Sequence, residues 1–283
     1  MSVTPKFRAT ILGCGSSGGV PRFGGEAEMG NWGACDPSNP NNRRRRCSLL
    51  VERFGEQGVT RVLVDTGPDM RQQLLDARAS LVDAVVFTHD HADHTNGVDD
   101  LRQMFLIRRE RVRAWADAET AATLRRRFDY VFERLPGSDY PSVVELAEIS
   151  EAQIDGDEAF IVNGLGGQIP IRPFRVVHGR VPALGFRFGA LSEGGLAYLP
   201  DVNAIPEPVW PTLRALDIWV LDALRYTTHP SHVNVETALA WIARAAPKRA
   251  VLTNMHVDLD YATLNAATPP NVEPAFDGMQ MRF

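Results

Sequence analysis

Three histidines and an aspartate directly follow a short apolar run, and this cluster restricts the possible folds more than any other part of the sequence. The run Ala84–Phe87 is typical of a buried strand, and the cluster after it contains His89, His91, Asp93 and His94. A strand that ends there projects these side chains from the edge of a sheet, where open α/β folds place their sites. We therefore expect the chemistry of the chain to lie at a sheet edge.

The spacing within the cluster indicates metal binding. His89 and His91 are two residues apart, so in an extended loop both can turn toward one point. Asp93 and His94 are adjacent, so they diverge and can serve a second ion nearby. Imidazole and carboxylate groups without a thiolate suit Zn²⁺, Mn²⁺ or Fe²⁺. A polar loop that carries three histidines by chance is the disfavoured alternative.

Further residues of ligand type follow other predicted strands. Each of them, taken alone, is more often a loop residue than a ligand. Together with the cluster they complete a candidate ligand set, and they are His178, Asp201 and His256.

Short apolar runs dominate the chain and alternate in part with helical patterns. The predicted strands are Phe7–Leu12, Ser48–Glu52, Val62–Val64, Ala84–Thr88, Val112–Ala116, Ile169–Val177, Leu184–Phe188, Leu196–Leu199, Ile218–Leu221 and Ala250–Thr253. The predicted helices are Asp117–Phe132, Pro208–Leu216 and Val235–Ala246. This pattern predicts an α/β (α+β) fold in which helices cover sheets. No linker or repeat appears, so residues 1–283 are expected to form a single domain, with Gly24–Asn42 and Pro136–Gly167 as long loops.

The charge and cysteine content narrow the setting in which the chain works. A formal net charge of −5 gives no global basic field for nucleic acid or an anionic membrane, so a phosphate-bearing substrate needs local positive charge. The sparse, odd set Cys14, Cys35 and Cys47 gives no disulfide framework and fits a reducing compartment. We find neither a signal peptide nor the ~20 consecutive apolar residues of a membrane helix. A cytoplasmic location without membrane contact is expected.

The cluster His89-x-His91-x-Asp93-His94 resembles the signature of the metallo-β-lactamase superfamily, and Val62–Gly67 resembles its first motif. The resemblance implies a four-layer αββα sandwich that holds two divalent metal ions, with Asp65 orienting the metal loop from the second shell. It implies one ion on His89, His91 and His178, a second ion on Asp93, His94 and His256, and Asp201 bridging the two ions.

Comparison within that superfamily favours phosphodiester hydrolysis. Asp201 stands where secreted β-lactamases use Cys, and His91 stands where flavo-diiron oxidoreductases use Glu. The stretches Gly13–Pro21, Asn42–Ser48 and Phe276–Met279 resemble the subgroup that includes the cyclic phosphodiesterase of bacterial phosphonate breakdown. This similarity implies a dinuclear phosphodiesterase that attacks a small nucleotide or ribose cyclic phosphate with a metal-bridging hydroxide. The alternatives are a thioester or lactone hydrolase, similar to glyoxalase II, and a non-hydrolytic nucleotide-binding member.

The resemblance also assigns residues to catalysis and substrate binding. His232 matches a histidine that this subgroup uses beside the scissile phosphate, where it would bind a phosphoryl oxygen or protonate the leaving oxygen; a solvated loop histidine is the alternative. The expected catalytic residues are His232, Asp93 and Asp201. The expected substrate contacts come from His229, His232, Arg46, Ser48 and Ser17.

The sequence departs from this subgroup at several positions, and these departures bear on the expected metal ions and on RNA as a partner. The stretch Gly24–Glu28 lacks the cysteines that hold a structural zinc there, and Leu259 stands near the expected late histidine, so no structural zinc is predicted. Asn254–His256 stands where the corresponding motif of the subgroup ends in a simpler Thr-His pair. The run Arg43–Arg46 is expected to be largely solvated, with one or two arginines turned to the site. Without an extended basic arm, long RNA is disfavoured as a partner, and a homodimer is left open.

Overall fold

The computed structural model describes residues 6–134, 136–156, 158–189 and 194–283, and in these ranges the strands form two seven-stranded sheets. The first sheet contains β1 (Phe7–Gly13), β2 (Ser48–Gly55), β3 (Gly58–Val64), β4 (Ala84–Val86), β5 (Val112–Ala116), β6 (Val144–Glu148) and β14 (Gln280–Arg282). The second contains β7 (Phe160–Val162), β8 (Ile169–His178), β9 (Val181–Phe188), β10 (Leu196–Leu199), β11 (Ile218–Asp222), β12 (Arg249–Thr253) and β13 (Val272–Pro274).

Each sheet is part antiparallel and part parallel. The first has the order β14-β1-β2-β3-β4-β5-β6, and its pairs are antiparallel as far as β3 and parallel from β3 to β6. The second has the order β13-β12-β11-β10-β9-β8-β7, and its pairs are parallel from β10 to β13. Parallel neighbours end at the same edge of a sheet, so each sheet collects the loops after its parallel strands.

The helices are mostly short, and four of them are preceded by a residue whose side chain accepts a hydrogen bond from a backbone N–H of the first turn. The α-helices are α1 (Met70–Asp76), α2 (Ala92–Thr95), α3 (Leu101–Arg108), α4 (Ala118–Arg127), α5 (Asp129–Phe132), α6 (Glu151–Asp155), α7 (Val235–Ala245) and α8 (Tyr261–Ala267). Side-chain N-caps are present at Asp117, Ser150, Asn234 and Asp260.

Two apolar clusters define the layers. The larger one lies between the sheets and combines side chains such as Ile11 and Leu49 of the first sheet with Phe174 and Trp219 of the second; it also takes in Ile242 of α7. The smaller one packs the other face of the first sheet against α1, α3 and α4. The predicted αββα layering and fold class are therefore confirmed.

Local backbone chemistry explains where the elements differ from their predicted bounds. The predicted helix Asp117–Phe132 is interrupted at Phe128, whose φ of −134° and ψ of 44° separate α4 from α5. Residues Glu207–Leu213 form a 3-10 helix that contains Pro211. The segment Pro136–Gly167 was expected to be a loop, but its described residues include β6, α6 and β7.

A buried guanidinium ties the N-terminal loop to the segment after β12. Arg44 is only 2% exposed, and its Nη2 donates to the carbonyl of Leu259 at 2.7 Å and to Oδ1 of Asn42 at 3.1 Å. Its Nη1 donates to the carbonyl of His256 at 3.3 Å. Asn42 in turn donates to Oδ2 of Asp260 at 2.7 Å. We name this group, Arg44 with Asn42 and Asp260, the arginine clamp.

Among the described residues, no helix has both the length and the apolar character needed to cross a membrane.

Candidate metal centre

The first sheet supplies the histidine cluster through the loop after β4. His89 and His94 are buried, and His91 and Asp93 are half-buried at the start of α2 and just before it. Asp65, the residue after β3, holds this loop in place through hydrogen bonds. Its carboxylate accepts from the Thr88 N–H and from the Thr88 hydroxyl, both at 2.8 Å. The Nδ1–H of His94 donates to the same carboxylate at 2.7 Å. Asp65 therefore fixes the positions of the cluster while lying outside it.

The second sheet brings its own ligand-type residues to the same place. His178 is the last residue of β8, and Asp201 comes two residues after β10. The Nε2 of His178 lies 3.4 Å from the Nδ1 of His91, and the Nε2 of His94 lies 2.7 Å from Oδ2 of Asp201. The two sheet edges thus meet at one cluster of imidazoles and carboxylates.

Three overlapping sets of side chains within this cluster have ligand atoms within 4.8 Å of one another. The sets are His89, His91 and His178; His89, His94 and Asp201; and His178, Asp201 and His232. Asp93 lies beside the second set, with its Oδ2 3.5 Å from Nε2 of His94.

The hydrogen bonds at the back of each ring fix which nitrogen faces the centre. His178 donates from Nδ1 to the Ser231 carbonyl at 2.8 Å. Nδ1 of His89 lies 3.0 Å from the Thr88 hydroxyl, whose own hydrogen is given to Asp65, so the ring donates there. With Nδ1 of each ring occupied in this way, Nε2 of His89 and His178 carries the lone pair that a metal ion requires.

The cluster fits divalent metal ions because it leaves polar atoms without partners. The Nε2 of His89 and Oδ2 of Asp201 are buried, lie 3.7 Å apart, and have no hydrogen-bond partner among the described residues. The close approach of His94 to the same Oδ2 does not have hydrogen-bond geometry. Buried polar atoms of this kind are costly unless something satisfies them. Nitrogen and carboxylate donors converging on one point are what Zn²⁺, Mn²⁺ and Fe²⁺ bind.

The electrostatics of two members of the cluster, His89 and Asp201, agree with ligand roles. Burial lowers the pKa of His89 well below its ordinary value, so this ring is held neutral. Burial alone would raise the pKa of Asp201, but the neighbouring histidines, His94 first, outweigh it and hold the pKa well below the usual value. A neutral imidazole beside an ionised carboxylate is the protonation state that a metal ligand set needs.

Next to the cluster, His232 is held by a buried carboxylate that the sequence patterns did not reveal. Nδ1 of His232 lies 2.7 Å from Oδ2 of Asp222, the last residue of β11, and Asp222 is fully buried. Burial lowers the pKa of His232, but the hydrogen bond and charge of Asp222 outweigh this effect, so the pKa is raised. The side chain of Asn254 donates to Oδ1 of Asp201 at 2.8 Å and to Oδ1 of Asp222 at 3.2 Å.

The structure does not bring every expected residue to the cluster. His256 is outside all three ligand sets; its Nδ1 lies 3.1 Å from Asp258, and Asn254 occupies the place beside Asp201. The backbone turns at Asn254, which has a φ of +60°. His256, two residues later, lines the cavity beside the cluster without joining a ligand set.

Two of the expected substrate contacts also lie elsewhere. Ser48 is buried and donates to the Val64 carbonyl at 2.8 Å. Arg46 pairs with Asp69 at 3.0 Å in a separate groove. Arg44 and Arg45 are also held by hydrogen bonds or ion pairs, whereas Arg43 is exposed and lies over the ring of Trp32.

A cavity of about 390 Å³ opens beside the cluster. It is lined by His91, Asp93, His178, Asp201, His232 and Asn254 and, of the other expected residues, by Ser17, His229 and His256. Arg22 and Arg225 also line it, although the sequence patterns had not singled them out. A cavity of this size suits a small molecule.

Comparison with known proteins assigns the family. The beta-lactamase superfamily domain matches residues 60–255, more than half of the chain. The chain belongs to this superfamily. The crystal structure of a diphosphatase from the PhnP family has a TM-score of 0.82 and 32% identity, and the match covers 98% of each chain. The predicted resemblance to this subgroup of metal-dependent hydrolases is thereby confirmed.

Two relatives known from their sequences match over part of their length. An octanoyltransferase from Porphyromonas gingivalis is 32% identical over 97% of this chain, and a ribonuclease Z from a Bradyrhizobium species is 29% identical over 63% of it. The matches cover 51% and 55% of these relatives, so the chain spans about half the length of each.

We predict that Asp65→Asn weakens metal binding roughly 10- to 100-fold, because the amide cannot accept from both Thr88 and His94 as the carboxylate does. Competition between the protein and a chelator for Zn²⁺ measures the change. Asp99→Asn removes the same charge from a half-exposed surface side chain and should leave the affinity unchanged. Equal affinities of the Asp65 variant and the wild type would show that Asp65 does not position the ligands.

Proposed function

We propose that this protein hydrolyses small phosphodiesters with two divalent metal ions. The observation that carries the proposal is the position of His232, which Asp222 holds at the edge of the ligand cluster and inside the cavity. A thiolate leaves without a proton donor, so thioester hydrolysis does not account for His232, whereas phosphodiester hydrolysis gains from a proton donor beside the leaving oxygen. The similarity to a diphosphatase and to a ribonuclease supports the same reaction class.

The ligands divide between two ions. We assign His89, His91 and His178 to the first ion and Asp93 and His94 to the second, with Asp201 shared. The donor set suits Zn²⁺ or Mn²⁺, with Fe²⁺ as an alternative. When bound, such ions polarise a phosphoryl group and lower the pKa of a bound water to ~7.

The chain itself supplies orientation and proton transfer. Because Nδ1 of His232 is engaged by Asp222, Nε2 is left for the cavity. An N–H at that position donates to a phosphoryl oxygen or protonates the leaving oxygen. Asp222 acts through His232 by fixing the ring and its tautomer. Ser17 and His229 are placed at the cavity to contact the rest of the substrate.

Asn254 makes the two proposed metal sites unequal. Two carboxylates flank its amide nitrogen, so the N–H groups must face Asp201 and Asp222. His232 is the imidazole beside Asn254, with its Nδ1 3.1 Å from the amide nitrogen, but Asp222 engages this Nδ1 at 2.7 Å. The proposed second site therefore has one nitrogen ligand, His94, where the first has three. Fewer ligands give weaker binding of the second ion.

The reaction class is tested with metal-free protein reconstituted separately with Mn²⁺ and Zn²⁺. We expect metal-dependent cleavage of bis(p-nitrophenyl) phosphate and little turnover of a thioester or a lactone. A short RNA joins the panel, since one relative is a ribonuclease. Turnover confined to the thioester or lactone would overturn the phosphodiesterase proposal and leave the metal site intact.

The role of His232 predicts a loss of rate without a loss of metal. His232→Asn should lower kcat by roughly 10²- to 10⁴-fold, the usual contribution of a general acid, while elemental analysis finds wild-type metal content. His89→Asn is the comparison variant, since it should lose metal as well as activity. A wild-type kcat in the His232 variant would exclude the assigned role.

The unequal sites predict two-step metal binding. Titration of metal-free protein with Zn²⁺ should fill one site tightly and the other more weakly, and Asn254→His should narrow the difference by adding an imidazole beside Asp201. Asn265→His, on an exposed position of α8, is the matched control. Two ions of equal affinity in the wild type would contradict the assignment.

A further inference from the structure

The lining of the cavity is strongly basic away from the metal ligands. Two arginines and two histidines that take no part in the ligand sets line the same space, and they are Arg22, Arg225, His229 and His256. The chain as a whole is acidic, with a net charge of −5, so the concentration of positive charge here is local.

Arg22 is held in place by its backbone, while its side chain keeps unused donors. Its N–H and C=O pair with Asn31 in an antiparallel bridge, at 2.9 and 2.8 Å. The guanidinium contacts only the hydroxyl of Ser16, at 3.4 Å from Nη2, and its Nε is buried without a hydrogen-bond partner among the described residues. A half-buried guanidinium with an unsatisfied N–H is a ready donor for an anion.

Arg225 lies on another chain segment that borders the cavity, and it too has an anchored backbone and a guanidinium without a carboxylate partner among the residues that the structure describes. Its carbonyl accepts from the Val235 N–H at 3.0 Å, which anchors the backbone. The guanidinium donates to the carbonyls of Thr227 and Thr228, at 3.3 and 2.6 Å. In the described chain neither Arg225 nor Arg22 forms an ion pair with a carboxylate, so both positive charges remain uncompensated.

Arg45 and Arg46, which lie outside the cavity, differ from Arg22 and Arg225 because they form ion pairs with carboxylates. Arg45 is neutralised by Asp76 at 2.7 Å and by Asp277 at 3.1 Å, and Arg46 by Asp69 at 3.0 Å. Carboxylates therefore neutralise these two arginines of the basic run but leave the cavity pair free.

Besides burial, the positive charges of Arg22 and Arg225 both lower the pKa of His256. After burial, which is the largest effect, the positive charge of Arg22 lowers the pKa of His256, and Arg225 adds to it. Asp258, 3.1 Å from the ring, opposes them only in part. All three side chains line the same cavity of about 390 Å³.

We propose that Arg22, Arg225 and His256 form a second anion site, here called the distal phosphate site, which binds a phosphate next to the one that is cleaved. The preferred substrate is then a small diester with a P–O–P linkage, such as a dinucleoside diphosphate. Guanidinium forks match phosphate oxygens in geometry and charge. This inference rests on the proposed phosphodiesterase function and adds the residues that select the substrate.

The reaction balances as a simple hydrolysis. Water adds across the P–O–P linkage: the attacked phosphorus gains the oxygen of water, and its bond to the bridging oxygen breaks. The bridging oxygen leaves on the distal phosphorus, which the distal phosphate site holds. Two monophosphate esters result, which share the two protons of water, and no oxidant or reductant is needed.

The test compares two substrates in metal-loaded wild type, Arg22→Gln, Arg225→Gln and the double variant. Bis(p-nitrophenyl) phosphate has one phosphate, and a dinucleoside diphosphate has two. Each single variant should lower the ratio of kcat/KM for the diphosphate to kcat/KM for bis(p-nitrophenyl) phosphate by roughly 10- to 100-fold, mainly through KM. Arg225→Lys, which keeps the charge but not the fork, should give an intermediate ratio.

Arg111→Gln, a half-exposed arginine at the start of β5, is the matched control and should leave both rates unchanged. Equal losses on both substrates in the Arg22 and Arg225 variants would overturn the distal phosphate site, as would poor turnover of the diphosphate by wild type that cleaves bis(p-nitrophenyl) phosphate.

A binding measurement separates this inference from the proposed function. Calorimetry with methylenediphosphonate, a diphosphate that cannot be hydrolysed, should show at least tenfold weaker binding to each metal-loaded arginine variant than to wild type. If no phosphodiester is cleaved but this difference holds, the reaction class fails and the site stands. If phosphodiesters are cleaved and the affinities are equal, the site fails and the function stands.

Discussion

The carboxylate of Asp65 is the interaction on which the metal centre depends. It is fully buried and receives three hydrogen bonds, two from Thr88 and one from His94. Through Thr88 it also fixes the ring of His89. The residue has a φ of +64°, a conformation that costs free energy for any side chain except glycine and that aspartate tolerates better than most. One strained residue at the end of β3 therefore sets the position of two ligands on the next loop.

The centre is assembled from both sheets and exists only where they meet. The first sheet provides the cluster after β4, and the second provides His178, Asp201 and Asp222 at the ends of β8, β10 and β11. The apolar cluster between the sheets holds the two edges in register. Because interiors are close-packed, a shift of either sheet is resisted across the whole interface. The geometry of the ligands is thus a property of the core as much as of the loops.

The sequence predicted the parts of this protein that short-range patterns encode. Apolar runs located ten strands, and the spacing from His89 to His94 located the cluster of ligand-type side chains. Asp222 was missed because it ends an apolar strand with no second ligand-type residue beside it, and only the fold brings His232 to it. His256 was expected to bind metal because it follows β12, but it lies outside the three ligand sets, and Asn254 is the residue that contacts Asp201. Arg22 and Arg225 are 203 residues apart in the chain and share a cavity only in three dimensions.

The arginine clamp anchors the loop that carries Arg22 through residues that do not belong to the ligand sets. By joining Arg44 to the carbonyls of Leu259 and His256, it fastens the N-terminal loop to the second sheet at a point outside the ligand sets. The loop that carries Arg22 is thus anchored without sharing residues with the metal centre. Substitutions between the first strand and the clamp can therefore change the proposed substrate selectivity without replacing any member of the ligand sets. A single scaffold with one chemistry can in this way give rise to enzymes of different selectivity.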